Sequence, residues 1–147
     1  MPALQLNDPG IMARLVRLQL LATEQLESVT VAHGIAFNDY LVLGVIRRSP
    51  HQRCTPSFVC ESLHRTSGGM TLTLDRLQRA GLLERSRDHD DRRKVVLTLT
   101  RQGRELATRI NAALHAWEAS VVRNRLHERE VAAALDAVLA TLEPPRP

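Results

Sequence analysis

The architecture is set by the middle of the chain, where residues 55–99 read TPSFVCESLHRTSGGMTLTLDRLQRAGLLERSRDHDDRRKVVLTL. Thr55-Pro56 is a typical helix start, with threonine as the N-cap and proline at the first helical position. A second helix is predicted from Ser67, as its N-cap, to Ala80, and Gly81 closes it. Two short helices separated by a few residues, the second rich in polar side chains, indicate a helix-turn-helix.

After this pair of helices the hydrophobic period changes from helical to two. Residues 83–87 and 94–99 are predicted to be strands, and the polar loop 88–93 joins them. Two strands around a short charged loop make a hairpin, which in this position is a wing. Within the loop, we expect Asp88–Arg92 or Asp91–Arg93 ion pairs to shape the turn.

Amphipathic helices are predicted on both sides of this winged motif. One runs from Ile11 to near Gly34, and the next begins at Asn38 or Asp39 and stops at Ser49-Pro50. Thr100 caps a long helix to about residue 125, and a last helix covers about residues 128–142, ended by Pro144 and Pro145. Residues 1–10 are interpreted as a loose lead-in. The predicted fold class is mainly α, a winged helix-turn-helix with a β-hairpin wing.

The terminal helices predict a homodimer, because nothing else in the chain covers their long apolar faces. We expect residues 1–147 to form a single domain, in which 1–34 and 101–147 are dimerisation helices and 35–100 form the winged helix-turn-helix DNA-binding lobe. Two cysteines in 147 residues make no disulfide framework, which favours a cytoplasmic location. Neither a secretory signal nor an apolar run of the roughly 18 residues that span a bilayer is found, so no membrane association is predicted.

Charge is concentrated in the winged motif. Residues 47–104 carry thirteen basic and six acidic side chains, whereas the rest of the chain carries seven basic and ten acidic ones. A positive centre between negative flanks indicates a surface that faces a polyanion.

These residues resemble the MarR family of bacterial winged-helix transcription regulators. Residues 67–71 (SGGMT), 74–77 (LDRL) and 81–85 (GLLER) are similar to the family's recognition helix and the entry to its wing. The pattern Asp88-x-x-Asp91-Arg92-Arg93 and residues 97–103 (LTLTRQG) are similar to the wing and the start of the long dimer helix. The resemblance implies a dimer that binds palindromic double-stranded DNA, acts as a repressor, and is often released by a small ligand.

A helical wheel places Met70, Leu74 and Leu77 on the core side of the recognition helix, and the opposite side holds Gly68, Gly69, Leu72, Arg76 and Arg79. Arg76 is the first choice for a base or phosphate contact, and Leu72 could touch a thymine methyl group. The resemblance implies that Arg92 inserts into the minor groove. The predicted DNA-binding residues are Ser67, Gly68, Gly69, Thr71, Leu72, Thr73, Arg76, Arg79, Arg87, Arg92, Arg93 and Lys94.

Other sites are weaker hypotheses. A small, phenolic or anionic effector would be held where the terminal helices meet the lobe, by His33, Phe37, Tyr40, His115 and Trp117. A metal- or thiol-responsive regulator would use Cys54 and Cys60 with His51 and His64. No cofactor is predicted, and no enzyme, because no phosphate loop, metalloprotease helix or nucleophile elbow is found. A winged-helix protein-interaction module without DNA binding is the remaining alternative.

Overall fold

The computed structural model describes residues 10–121 and 125–143, and within them it contains six α-helices and three strands. In chain order these are α1 (Gly10–Ala32), α2 (Phe37–Arg48), β1 (Arg53–Cys54), α3 (Pro56–Ser62), α4 (Ser67–Arg79), β2 (Leu83–Arg87), β3 (Val95–Leu99), α5 (Arg101–Val121) and α6 (Arg125–Leu142). A short 3-10 turn, Pro50–Gln52, precedes β1. The predicted fold class is confirmed. Of the predicted lead-in over residues 1–10, Gly10 is instead the first residue of α1 and the rest lies outside the described residues, as does the stop at Pro144 and Pro145.

Two helices end where glycine was expected to end them. Gly34 and Gly81 have φ of +75° and +69°, a left-handed backbone that glycine adopts without a steric penalty. In each case the next residue donates its N–H to a carbonyl five positions back, Ile35 to Thr30 at 3.1 Å and Leu82 to Leu77 at 3.0 Å. This bonding satisfies the carbonyls at the helix end and turns the chain sharply.

Two helices begin at the predicted caps. The Thr55 hydroxyl accepts the N–H of Phe58 at 3.2 Å, and the Thr100 hydroxyl accepts the N–H of Gly103 at 3.0 Å. Both hydroxyls satisfy an N–H group that has no partner within its own helix.

Two other predicted starts are wrong. Ser67 is the first residue of α4, because Thr66 takes the extended backbone of the N-cap, and no side chain caps that end. Helix α2 begins at Phe37, so that Asn38 and Asp39 lie in its first turn. Their side chains instead accept hydrogen bonds from arginines distant in sequence.

The wing belongs to a three-stranded antiparallel sheet of order β1-β3-β2. Strands β2 and β3 pair from Leu83 opposite Leu99 to Arg87 opposite Val95, as the hairpin prediction requires. Strand β1 was not predicted; it pairs with the other edge of β3, and Cys54 lies opposite Leu97.

The core lies among α2, α3, α4, the sheet and the start of α5. Its largest fully buried apolar side chains are Leu43, Ile46, Leu77, Leu83, Leu97 and Ile110. Gly103 lies in the first turn of α5, where a Cβ would overlap the carbonyl oxygen of Leu82. Only glycine lets the first turn of α5 approach the backbone at the start of β2 this closely.

The chain divides into two compact units, one up to Asn111 and one from Ala112. In the first unit, Thr30 is the one buried residue of α1. In the second unit, no described side chain of α6 is buried. The exposed large apolar side chains of these two helices are Ile11, Met12, Val16, Leu18, Leu20, Leu21, Val31, Val131, Leu135, Leu139 and Leu142.

No single helix in the described ranges is long and apolar enough to cross a membrane. The pair α1 and α2, which meet at 88°, passes the same test of length and composition when the two are taken together.

Candidate nucleic-acid interface

Helix α4 has one buried face and one exposed face. Met70, Leu74 and Leu77 are at most 2% exposed, which confirms the predicted core side. Thr73 is half-buried, and the remaining predicted contact residues of α4 are exposed: Ser67, Gly68, Gly69, Thr71, Leu72, Arg76 and Arg79. The helix thus offers a free surface to a partner while its other side is held by the core.

Several donors on that free surface are already used inside the helix. The hydroxyls of Thr71 and Thr73 donate to the carbonyls of Ser67 and Gly69, at 3.0 and 3.3 Å. Arg79 Nε donates to the carbonyl of Asp75 at 3.3 Å. The threonine hydroxyls therefore have their lone pairs, rather than their hydrogens, available to a base edge.

Leu72 is the large apolar side chain that α4 exposes, with 67% of its surface accessible. The thymine methyl group is the apolar feature of the major groove, so Leu72 is matched to it chemically.

Arg76 is held by an acid that the sequence did not identify as its partner. Its Nε donates to Asp39 Oδ2 at 2.8 Å and its Nη2 donates to Asp39 Oδ1 at 2.5 Å. The Asp39 side chain is 6% exposed, whereas that of Arg76 is 55% exposed. Hydrogen bonding to Asp39, followed by the attraction of its charge, raises the pKa of Arg76. The DNA contact of Arg76 stays a prediction.

The exposed cations of the wing are Arg92, Arg93 and Lys94. Among the described residues, none of the three has a carboxylate within ion-pair distance. Arg87, also predicted to contact DNA, is exposed and donates from Nη1 to the carbonyl of Arg93 at 3.5 Å. The wing therefore presents exposed cations that form no ion pair with any described residue, beside the three acids Asp88, Asp90 and Asp91 of the same loop.

The acids of the wing loop bind backbone, and the predicted Asp–Arg pairs within the loop are wrong. Asp88 Oδ1 accepts the N–H groups of Asp90 and Asp91 at 2.9 and 3.2 Å, and Asp91 Oδ1 accepts that of Arg93 at 3.0 Å. These local bonds close the turn as an aspartate typically does. The bonds from the N–H groups of Asp90 and Asp91 lower the pKa of Asp88, with smaller effects from the charge of Arg53, whose Nη2 is 3.5 Å from Asp88 Oδ2, and from that of Lys94.

Polar contacts join α4 to the wing. Arg85 on β2 donates from Nη1 to Asp75 Oδ1 at 2.6 Å and to Gln78 Oε1 at 3.0 Å. The Thr100 hydroxyl, which caps α5, also donates to the carbonyl of Gly81 at 2.6 Å. Helix α4 and the wing are thus connected by side-chain hydrogen bonds as well as by the continuous backbone.

The effector candidates fall in both units. In the first unit, His33 Nδ1 lies 2.8 Å from the carbonyl of Val29, Phe37 is half-buried and Tyr40 is buried. In the second, Trp117 is half-buried and His115 is exposed, with its Nδ1 3.0 Å from Glu118 Oε2. The effector site stays a prediction.

The metal and thiol candidates do not assemble. No three His, Cys, Asp or Glu side chains in the described part of the chain are placed to hold a metal ion, so His51, Cys54, Cys60 and His64 form no such group. Burial raises the pKa of the Cys54 thiol, partly offset by a hydrogen bond with Ser49. A raised pKa reduces the thiolate on which thiol sensing depends.

Comparison with known proteins gives consistent matches. The model of the MarR family matches residues 33–94. The HTH-type transcriptional regulator PecS of Dickeya dadantii is 30% identical over 111 residues, covering 74% of this chain and 66% of PecS. YwhA of Bacillus subtilis, an uncharacterised HTH-type transcriptional regulator, is 33% identical over 88 residues, covering 60% of this chain and 62% of YwhA.

The chain thus spans less than two thirds of the length of these two curated relatives. Among solved structures, the MepR–DNA complex of S. aureus has a TM-score of 0.76 and 18% identity, covering 94% of this chain and all of that one. At this identity the likeness concerns the fold.

Proposed function

Because the chain belongs to the MarR family of winged-helix transcription regulators, we propose that it binds double-stranded DNA through α4 and the wing and thereby regulates transcription. The observation that carries the proposal is the pairing of a free helix face with a wing whose Arg92 and Arg93 are exposed and form no ion pair within the described ranges. Met70, Leu74 and Leu77 hold one side of α4 in the core, so its other side is available to a major groove. Arg92 and Arg93 are exposed at the wing, and in this proposal they reach the narrow, negative minor groove.

The acting species is a homodimer on a palindromic operator. The exposed apolar faces of α1 and α6 support this part of the proposal, since a second copy of the chain can cover them. Two recognition helices related by a two-fold axis would read half-sites one helical turn apart. A repressor located in the cytoplasm and released by a small ligand is the form that the family resemblance favours.

Within each half-site, different side chains contact different parts of the DNA. Ser67 and Thr71 lie at the start of α4, where the helix N-terminus favours a phosphate. Leu72 contacts a thymine methyl group, and Arg92 and Arg93 supply charge at the minor groove. Gly68, Gly69, Thr73, Arg79, Arg87 and Lys94 complete the contact surface.

The alternatives have less support. The relatives are helix-turn-helix transcriptional regulators, which favours DNA binding over a module that binds only proteins. The geometry around Cys54 and Cys60 gives no support to a metal-responsive regulator.

The test is a mobility-shift titration of the purified protein on the intergenic region beside its own gene, repeated over a salt series. We expect a discrete complex, footprints over an inverted repeat, and an affinity that falls steeply with salt. Failure to shift any duplex at low salt would refute the proposal.

A further inference from the structure

The first turn of α2 holds two arginines that belong to the helix-turn-helix. Asn38 Oδ1 accepts from Arg65 Nη2 at 2.5 Å, and the next residue, Asp39, binds Arg76 through both of its oxygens. Arg65 lies just before α4 and Arg76 lies in its third turn. Neighbouring residues of one helix therefore fix two cations of the recognition element.

The Asp39–Arg76 pair is asymmetric in its exposure. The carboxylate is buried, whereas more than half of the arginine side chain is accessible. Asp39 uses the Nε–Nη2 edge of the guanidinium. Of the five N–H donors of an arginine, the two on Nη1 and one on Nη2 remain, and one from each of these nitrogens forms the end-on edge of the guanidinium.

That remaining edge is suited to a pair of acceptors. On a duplex, such pairs are two phosphate oxygens or O6 and N7 of guanine. A free arginine must lose rotamer freedom to make either contact, but one already held on its inner edge has lost much of that freedom before binding.

We propose that Asp39 is a positioning residue for DNA binding, which holds the inner edge of Arg76 so that the outer edge meets paired acceptors on the duplex. The inference rests on the proposed function. It assigns a role to a buried acid that touches no DNA and that would, by charge alone, weaken binding to a polyanion.

That opposition of charge and geometry makes the test decisive. If Asp39 only neutralises Arg76, Asp39→Asn unmasks a cation and binding strengthens. If Asp39 positions Arg76, the same substitution weakens binding by roughly tenfold, because the cation stays but loses the paired carboxylate oxygens that hold its inner edge. The probe is the duplex that the wild-type protein selects from a random library, and the readout is the dissociation constant over a salt series.

Arg76→Ala and the double variant complete a cycle. We expect the double variant to bind within about twofold of Arg76→Ala, because Asp39 acts only through Arg76. Glu105→Gln is the matched control. It removes the carboxylate of an exposed ion pair on α5, in which Arg101 Nε lies 2.8 Å from Glu105 Oε1, and it should leave binding unchanged.

Measurements on the same variants identify the DNA acceptor that Arg76 contacts. If Arg76 meets a phosphate, Arg76→Ala lowers the salt slope by about one. If it meets guanine, the slope changes less, and replacing guanine by 7-deazaguanine at one position weakens the wild type but not Arg76→Ala.

Circular dichroism shows whether the Asp39→Asn variant folds. If it does not, Arg76→Lys provides a second test. A lysine keeps the charge but cannot bind Asp39 and present a second edge, so its affinity should lie near that of Arg76→Ala. Wild-type affinity in either Asp39→Asn or Arg76→Lys, or additive effects in the cycle, would overturn the inference. Failure of the wild type to bind any duplex would instead refute the proposed function.

Discussion

Met70, Leu74 and Leu77 on α4 repeat at the same spacing as Leu135, Leu139 and Leu142 on α6, four residues and then three. The three on α4 are at most 2% exposed, whereas the three on α6 are 38%, 53% and 62% exposed. Helical periodicity therefore predicts a face that needs cover in both regions. It does not say whether the cover comes from the same chain, as in the lobe, or from another copy, as we propose for the terminal helices.

The largest effect is expected in the lobe. Leu77→Ala should lower the free energy of unfolding by about 2–5 kcal/mol, because it leaves a cavity in a packed core. Urea unfolding followed by circular dichroism measures it, and the loss should hold at every protein concentration. A loss below about 1 kcal/mol would mean that the α4 face is less tightly covered than its burial indicates.

The second test asks whether α6 depends on another copy. Leu139→Glu places a charge on the exposed apolar stripe and should weaken the dimer by roughly 30-fold or more, since the charge must be buried on association. Sedimentation over a dilution series gives the dimer dissociation constant. Thr141→Glu adds the same charge on another side of the helix and should have little effect; equal behaviour of the two variants would contradict cover by a second copy.

The third test distinguishes an effect on DNA binding from an effect on dimer formation. Arg92→Ala should weaken DNA binding by roughly tenfold on many sequences and lower the salt slope by about one, with the dimer unchanged. Arg101→Ala, at an exposed arginine on α5, serves as the control. An unaltered salt slope would count against insertion of the wing.

The smallest effect concerns a single methyl group on the duplex. Replacing thymine by deoxyuridine opposite Leu72 should weaken the wild type by about fourfold per half-site, the value of one buried methyl group. In Leu72→Ala the same replacement should cost little. If both proteins lose equally, the thymine is read by shape or by another residue.

Much of the lobe could be predicted because its signals are local. The caps Thr55 and Thr100, the glycines at 34 and 81 and the buried face of α4 each follow from residues within one or two turns. Strand β1 was not predicted because its two residues, Arg53 and Cys54, are too few to show a hydrophobic period.

The part of the site that escaped prediction depends on contacts between distant residues. Asp39 and Arg76 are 37 positions apart, and an acid in the first turn of a helix is normally explained by the helix dipole alone. In the wing, the acids were assigned to arginine side chains, yet nearby N–H groups were the closer partners.

Gly103 has a mechanical consequence. Because the first turn of α5 touches the backbone of Leu82, and Thr100 bonds to both Gly81 and Gly103, the start of α5 is held against the residues between α4 and β2. A displacement of the first turn of α5 is therefore expected to be passed to the end of α4 and the start of β2. A molecule that displaced the start of α5 would therefore act on the proposed DNA-binding surface without contacting it.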